Sequence, residues 1–508
     1  MRREHRWLLL ALLLAAAHQA VFIGWTSDDA FISYRYAENW SAGKGLVFNA
    51  GEKTEGFSNF LWVLILALFN RLGFPSLVVS KALSFAASLI LVVLMFKKAE
   101  AWGRSRFASA APALSLAFSA SLAYFSMSGL ETVFYACLLF LAVFLHERYE
   151  VKPSPGTFSA LYGILLAASL TRPEGIMFFG LSAAHHIVEK IVSKKGISLG
   201  KMLTAWAGAA AVVSVFLVLR YNYYSAWLPN TFYAKPKGTF AEGTGSALLS
   251  NIANSFFVGA FLLVLLIPAL SRISFLKKNS YPLLFVAGQI VFMSYAGDWM
   301  ALGRFFFPVL PIVLDLDFKF LGSLETSARS PSRARFMKSL PAWLSLIFAV
   351  SNLFQTAAAR RNVDLYPFLV MESSALKECG KYLKREFPAG TLIATRRQGA
   401  VPYYSGMDSV DILGLTDRDI ALNIYLSGGD SSSDSLNADY VLSREPGVIV
   451  LFSSTVRDGG MLYDKNEPGD KLLSFEFLLF ERALKAGYSL RGRLPTGKNE
   501  KALILIRG

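Results

Sequence analysis

Asn59-Phe60-Leu61-Trp62-Val63-Leu64-Ile65-Leu66-Ala67-Leu68-Phe69-Asn70 is an apolar decapeptide closed at each end by asparagine. A bilayer crossing takes roughly 20 residues of helix, so this run cannot cross. It reads as a helix lying in or re-entering the outer face. Counting it as a span would invert every later loop.

The rest of the chain shows why that matters. Of its 508 residues 54% are hydrophobic and only 17% are charged, and the apolar residues fall in long runs rather than stripes. That composition describes a multi-pass α-helical membrane protein. Runs of spanning length lie at about 7–24, 76–96, 107–125, 131–146, 204–224, 249–270, 281–296, 305–321 and 340–356. The stretch 158–189 is too long for one helix and is broken by Thr171-Arg172-Pro173-Glu174-Gly175, which reads as two spans joined at the outer surface. The first run is read as an uncleaved span rather than a signal peptide. With 60–69 left on the outer face, twenty Lys and Arg fall in inner segments and far fewer in outer ones. This positive-inside bias selects about eleven transmembrane helices plus one non-spanning outer helix, with the N-terminus inside and the C-terminus outside. The net charge of +15 therefore reports topology and not nucleic acid.

After Thr356 the chain turns polar. Helix-like stretches (368–386, 472–486) alternate with strand-like runs (391–395, 447–452, 501–506), the pattern of an α/β domain. The expected division is a transmembrane domain at 1–357 and an extracytoplasmic α/β domain at 358–508.

On this threading, separate parts of the chain deliver ionisable groups to the outer face: Asp28 and Asp29, Glu131, Arg172 and Glu174, Lys235 and Lys237, and Asp298 with Arg304. Such convergence suits a site cut into one end of a helical bundle. Each group also has a plainer role. Asp28, Asp29 and Glu131 stand where acids cap helices. Arg172 and Glu174 could pair within their turn, Lys235 and Lys237 could be solvated, and Asp298 with Arg304 could be a surface pair of little energetic weight.

The chemistry that would use the whole set is attack of an alcohol on an activated sugar. A carboxylate takes the hydroxyl proton while Arg and Lys neutralise the departing phosphate. No GxxxxGK[ST], HExxH or CxxC motif is present, and the five histidines fall in inner loops or spans, so a carboxylate is the available base. Cys137 and Cys379 define no disulfide framework. No cofactor is required by any motif. A divalent cation could sit at Asp28 and Asp29, but two adjacent acids do not define a metal site.

The stretch Asp28-Asp29-Ala30-Phe31-Ile32-Ser33-Tyr34-Arg35-Tyr36-Ala37, followed by Gly43-Lys44-Gly45-Leu46-Val47-Phe48-Asn49 and Glu55-Gly56-Phe57-Ser58-Asn59-Phe60-Leu61-Trp62, resembles the mycobacterial terminal β-(1→2)-arabinofuranosyltransferase family. Those are membrane glycosyltransferases of the GT-C fold. Ser128-Gly129-Leu130-Glu131-Thr132, Arg172-Pro173-Glu174-Gly175, Pro229-Asn230-Thr231, Gly297-Asp298, Arg304-Phe305 and Asp411-Ile412-Leu413-Gly414-Leu415 extend the resemblance over most of the chain. It implies a GT-C-like bundle in the bacterial cytoplasmic membrane, with sugar transfer from a polyprenyl-phosphate donor to a cell-envelope glycan or glycolipid. It also implies Asp28 as general base and Asp29 in acceptor or metal binding, while the convergence on the outer face assigns Glu131, Arg172, Glu174, Lys235, Asp298 and Arg304 to substrate binding. The sugar itself does not follow from it.

Two other accounts use the same features. A lipid or glycolipid transporter or flippase predicts charges in mid-span, where this reading finds almost none. A non-catalytic assembly protein predicts acids that only cap helices.

Overall fold

The computed structural model describes residues 3–101, 106–194, 196–234, 272–296, 302–326, 330–361, 373–428, 431–454, 461–463, 471–495 and 500–508. The chain folds into two compact units, neither continuous in sequence. One comprises Met1–Trp25, Ser80–Val215 and Phe240–Pro367, and the other Thr26–Val79, Phe216–Thr239 and Phe368–Gly508.

Among the described residues four helices are long and apolar enough to cross a membrane: α4 (Ser76–Glu100), α7 (Thr132–Val151), α10 (Leu199–Tyr224) and Arg335–Ala359 within the Pro331–Arg361 helix. A fifth arises if α5 (Arg106–Ala117) and α6 (Ala120–Met127), bent by 50° at their junction, count as one broken span. Only 11% of the apolar window of α10 is buried, and Val212, Val215, Val218 and Leu219 stand exposed. Hydrocarbon, not water, is the solvent that suits such a face. The stretch 249–270, expected to span, lies outside the described residues.

In the first unit α1 (Arg3–Ala20) packs on α5 and α6, while α7, α8 (Pro155–Thr171) and α9 (Gly175–Ser193) follow one another side by side. Arg172-Pro173-Glu174 separates α8 from α9, as the proline dictates. Buried polar bonds join helices where apolar contact gives little discrimination against lipid. His18 Nε2 lies 2.7 Å from Thr356 Oγ1, and Ser88 donates to Gln19 Oε1 at 3.0 Å. At the α5–α6 bend the freed Ala120 amide donates to Asn352 Oδ1 at 2.8 Å, and the Ser119 hydroxyl caps α6. A helix can break inside a membrane when neighbours satisfy the freed backbone in this way.

One expectation fails here. The Leu310–Thr326 helix buries Asp315 and Asp317 completely, although the apolar runs read as nearly acid-free. Asp315 is offset by Lys98 at 3.0 Å and Lys319 at 2.9 Å, with Lys98 also 2.9 Å from Glu147. The five neighbouring apolar residues from Phe306 to Leu310 masked the acids in a window-averaged reading; pairing makes the burial of Asp315 tolerable, whereas the Asp317 carboxylate has no hydrogen-bond partner among the described residues.

The second unit carries a seven-stranded sheet. β1 (Ile393–Thr395) lies parallel between β2 (Ser409–Asp411) and β3 (Val448–Ser454). β7 (Glu500–Arg507) pairs antiparallel with β3 and with β6 (Tyr488–Pro495), and β5 (Lys471–Leu473) joins β3 to β4 (Met461–Tyr463). Ile449, Leu451, Leu503 and Leu505 form its core with Leu479 and Ala483 of the Ser474–Lys485 helix. Also in this unit are α2 (Asp28–Ser41) and α3 (Phe60–Arg71), which pack on each other. At 12 residues, or about 18 Å, α3 is too short to span. It buries Trp62, Val63, Leu66 and Ala67 against its neighbours.

Candidate active site

The predicted site residues fall into two groups, one in each unit. In the first unit the Ser128-Gly129-Leu130 turn between α6 and α7 places Glu131 just before α7, with Gly129 at φ +81°. Glu131 makes no side-chain capping bond, so the plainer reading of this acid does not hold. Its buried carboxylate accepts instead from Arg172 Nη1 and, at 3.3 Å, from Arg304 Nη2. Arg172 Nε also donates to Glu174, so the local turn pair exists but belongs to a larger cluster. Glu174 likewise caps nothing. Both guanidinium groups lie near the Phe305 ring, at 5.2 and 6.0 Å. The hydroxyls of Thr132 and Tyr135 on the first turn of α7 are buried and have no hydrogen-bond partner among the described residues. Two arginines and two glutamates thus form one desolvated, charge-balanced cluster. Lys235, Lys237 and Asp298 lie outside the described residues.

The second group centres on Asp28. Ser27 precedes α2 without a side-chain cap, and Asp28 turns to a different element. Its Oδ1 accepts the Ala400 amide at 2.7 Å, at the start of the short Ala400–Ser405 helix. Burial pushes the carboxyl up to about 6, while the Ala400 amide and the Arg397 guanidinium hold it from rising further. A carboxylate in that range is ionised at neutral pH yet basic enough to take a proton. The backbone at Gly399 passes so close that a methyl there would overlap the Asp28 carbonyl and carboxylate. Replacing Gly399 with Ala is expected to lower activity at least about tenfold, because the added methyl must push away both the Asp28 backbone and its carboxylate. Wild-type turnover in G399A would contradict this.

The other blocks that carry the resemblance in this unit tie its segments to one another. Arg35 is buried and donates to Phe48 O at 2.7 Å, Pro402 O at 2.9 Å and Asp408 Oδ1 at 3.1 Å, tying α2 to the helix that carries Ala400. Tyr403 donates to Glu38 at 2.6 Å. Glu55 pairs with Arg220 at 2.6 Å, and its carbonyl accepts the Asn230 amide. Asn230 Nδ2 in turn reaches Gly414 O at 2.6 Å. Asp411 accepts the Leu413 and Thr416 amides within its own turn. Asn230, Glu55 and Asp411 therefore hold backbone in place.

Sequence reasoning missed Arg397, Gly399 and Ala400. A signal existed: Arg396-Arg397-Gln398-Gly399 follows a short apolar run, and loops at the carboxyl ends of parallel strands are where α/β sheets place their sites. β1 is such a strand. For metal, the fit is poor. Asp28 already accepts a backbone amide, and among the described residues no three His, Cys, Asp or Glu side chains are placed to hold an ion.

The fold is that of ArnT. The structure of ArnT from Cupriavidus metallidurans bound to undecaprenyl phosphate superposes with a TM-score of 0.59 at 12% identity over 98% of both chains. Its apo form gives 0.58. Among curated proteins the chain is similar to the terminal β-(1→2)-arabinofuranosyltransferase of Mycobacterium tuberculosis, 26% identical over 54% of this chain and 47% of that one. It is also similar to the protein of the same name from Corynebacterium glutamicum, 29% identical over 47% of this chain and 38% of that one. The chain therefore spans about half, or less, of the curated relatives it matches. Residues 367–503 match a family described only as a domain of unknown function, DUF8728.

Proposed function

We propose that this protein is an integral-membrane glycosyltransferase that moves a sugar, arabinofuranose by the relatives' names, from a polyprenyl phosphate to a hydroxyl of a cell-envelope glycan or glycolipid. The observation that carries the proposal is Asp28: a carboxylate fixed by the Ala400 amide, basic enough to accept a proton, in a chain with the ArnT fold. The eleven-span topology, with the unit bearing the sheet on the extracytoplasmic side, belongs to the same proposal. Residues assigned to one side meet one another, which supports it: Glu131, Arg172 and Arg304 on the outer side, Lys98 and Glu147 on the inner.

Asp28 takes the acceptor hydroxyl proton as the acceptor oxygen bonds the anomeric carbon. The bond from that carbon to the phosphate oxygen breaks, and its electron pair leaves with the polyprenyl phosphate. Arg172 and Arg304, with Lys235, stabilise the added negative charge. Glu131, Glu174 and Asp298 orient those cations, and Asp29 assists acceptor binding. No step is routed through a metal ion.

The transport reading gains one observation, the buried Asp315 and Asp317 of the Leu310–Thr326 helix. The paired ions around Asp315 fit a structural lock as well as a path. Mass analysis of envelope glycans and lipid-linked sugars separates the two. A strain lacking the protein should lose terminal sugars and accumulate the polyprenyl-phosphate sugar; an unchanged glycan profile contradicts the proposal.

The pH dependence gives a second check. A base near pH 6 predicts a rate that falls as pH drops through about 6, because protonation removes the acceptor for the hydroxyl proton. Arg397 favours the ionised form, so Arg397→Gln should move that limb to higher pH. An unmoved limb in R397Q would separate Arg397 from the base.

A further inference from the structure

The second unit holds a polar cleft of about 410 Å³ that the chemistry at Asp28 does not use. That volume falls within the roughly 300–1,000 Å³ of small-molecule sites. Three distant pieces of sequence line it: residues 52–54, residues 222–225, and the segment from Asp417 to Arg444. We propose that this cleft binds the uncharged saccharide portion of the acceptor, a reading that rests on the transferase assignment and adds where the acceptor is held.

The lining chemistry selects the ligand class. Glu52, Asp417 and Asp419 are balanced by Lys53, Arg418 and Arg444, so the wall offers no net charge to draw a phosphate in. An anion would meet three carboxylates. A polyol instead finds acceptors and donors in equal supply, and charged partners make the stronger hydrogen bonds to hydroxyls.

Of the three tyrosines in the wall, Tyr223 and Tyr440 are partly exposed and add aromatic surface for the C–H faces of sugar rings, while Tyr224 is buried. Each is fixed by its own hydroxyl. Tyr440 donates to Asp419 at 3.1 Å and accepts from Arg444 at 2.9 Å. Tyr224 donates to the Leu46 carbonyl at 2.7 Å, and Tyr223 accepts the Leu46 amide at 3.0 Å. Asp417 is also set, since it accepts the Asp419 and Ile420 amides at the start of the Arg418–Ser427 helix. Arg444 closes the rim through Glu52 at 2.6 Å. A wall whose rotamers are already locked loses little entropy when a flexible oligosaccharide docks. Asn222, Asp419 and Arg418 are exposed and remain accessible to it.

The test uses the full chain in lipid nanodiscs and saturation-transfer NMR. Its probes are a neutral arabino-oligosaccharide and a neutral manno-oligosaccharide, with inorganic phosphate as competitor. Wild-type protein should transfer saturation to at least one saccharide, undisturbed by phosphate. Asp419→Ala and the cleft-filling Asn222→Trp should each cut the signal about fivefold or more, the scale of one or two lost hydrogen bonds. Both should keep the wild-type melting temperature, and Asp28→Asn should keep the saccharide signal. Absence of binding to wild type, binding undiminished in both cleft variants, or displacement by phosphate would overturn the proposal. If donor cleavage is absent while cleft-dependent binding persists, the transferase reading fails and this site stands. If cleavage occurs while binding ignores the cleft, the reverse holds.

Discussion

Replacing Asp28 with Asn should reduce sugar transfer by about 10²–10⁴-fold, the range for loss of a positioned general base, while the protein folds as well as before. The amide oxygen of Asn can still accept the Ala400 N–H, so the contact that seats the loop survives. What disappears is the ability to take a proton. Stability should hold or rise, and the sign follows from the direction of the shift. The carboxyl has an ordinary value of 3.8 and titrates near 6 in the folded chain, so between those pH values the folded form holds the proton more tightly. Stability therefore falls as pH rises from about 3.8 to 6 and stays reduced above it. An uncharged Asn escapes that penalty at neutral pH. A group that costs stability when ionised, yet is held in place by a backbone amide and a glycine, is behaving as functional groups do. A melting temperature well below wild type in D28N would instead make Asp28 a structural cap. Turnover within a few fold of wild type would remove it from the chemistry.

The second large effect concerns Arg172. Its guanidinium lies between Glu131 and Glu174, and both carboxylates are buried. Removing one partner of a buried ion pair typically costs about 3–5 kcal/mol because the other charge is left desolvated. Arg172→Ala strands a carboxylate on each side, although Arg304 still reaches Glu131 at 3.3 Å. A marked fall in melting temperature together with loss of transfer is expected. Loss of both together would not distinguish a structural arginine from one that meets the donor, so Arg172→Lys is the informative partner. Lysine restores the charge but not the planar fork that serves two carboxylates at once. Stability should recover in large part while transfer stays low. Full recovery of transfer in R172K would assign Arg172 to structure alone.

The helical architecture was legible because hydrocarbon imposes a length rule that few other environments do. The run at 60–69 could be kept off the spanning list by counting residues, and it forms the 12-residue helix α3. Pro173 placed the break between α8 and α9 because its ring cannot continue a helix. Strands β1, β3 and β7 stood out as apolar runs, whereas β2 and β6 did not. Ser409–Asp411 is three residues long, and Tyr488–Pro495 alternates with arginine and glycine on an edge strand, so neither has a continuous apolar signature. The division at 357 followed composition along the chain. Contacts instead gather Thr26–Val79 with the C-terminal residues, through bonds such as Arg35 to Pro402 that composition does not reveal.

The candidate site was legible residue by residue but not in its connections. In sequence Glu131 reads as an acid at a helix start, Arg172 and Glu174 as a turn pair and Arg304 as a partner of Asp298, and the structure joins the four into one cluster. Asp28 was chosen for its position, yet its environment comes from Gly399 and Ala400, more than 370 residues later. Long-range partners of this kind leave no periodicity to read. The paired ions around Asp315 were missed for a similar reason: in one dimension an acid within an apolar run looks like an interruption, and Lys98 lies far away in sequence.

The most direct test of the central claim follows the fate of the lipid-linked sugar. Full-length protein in liposomes is given a polyprenyl-phosphate sugar labelled in both lipid and sugar, with an oligosaccharide acceptor. The account predicts that glycosylated acceptor and free polyprenyl phosphate appear in equal amounts, with both products lost in D28N. Passage of the intact lipid-linked sugar from one leaflet to the other, with its sugar–phosphate bond unbroken, would contradict it.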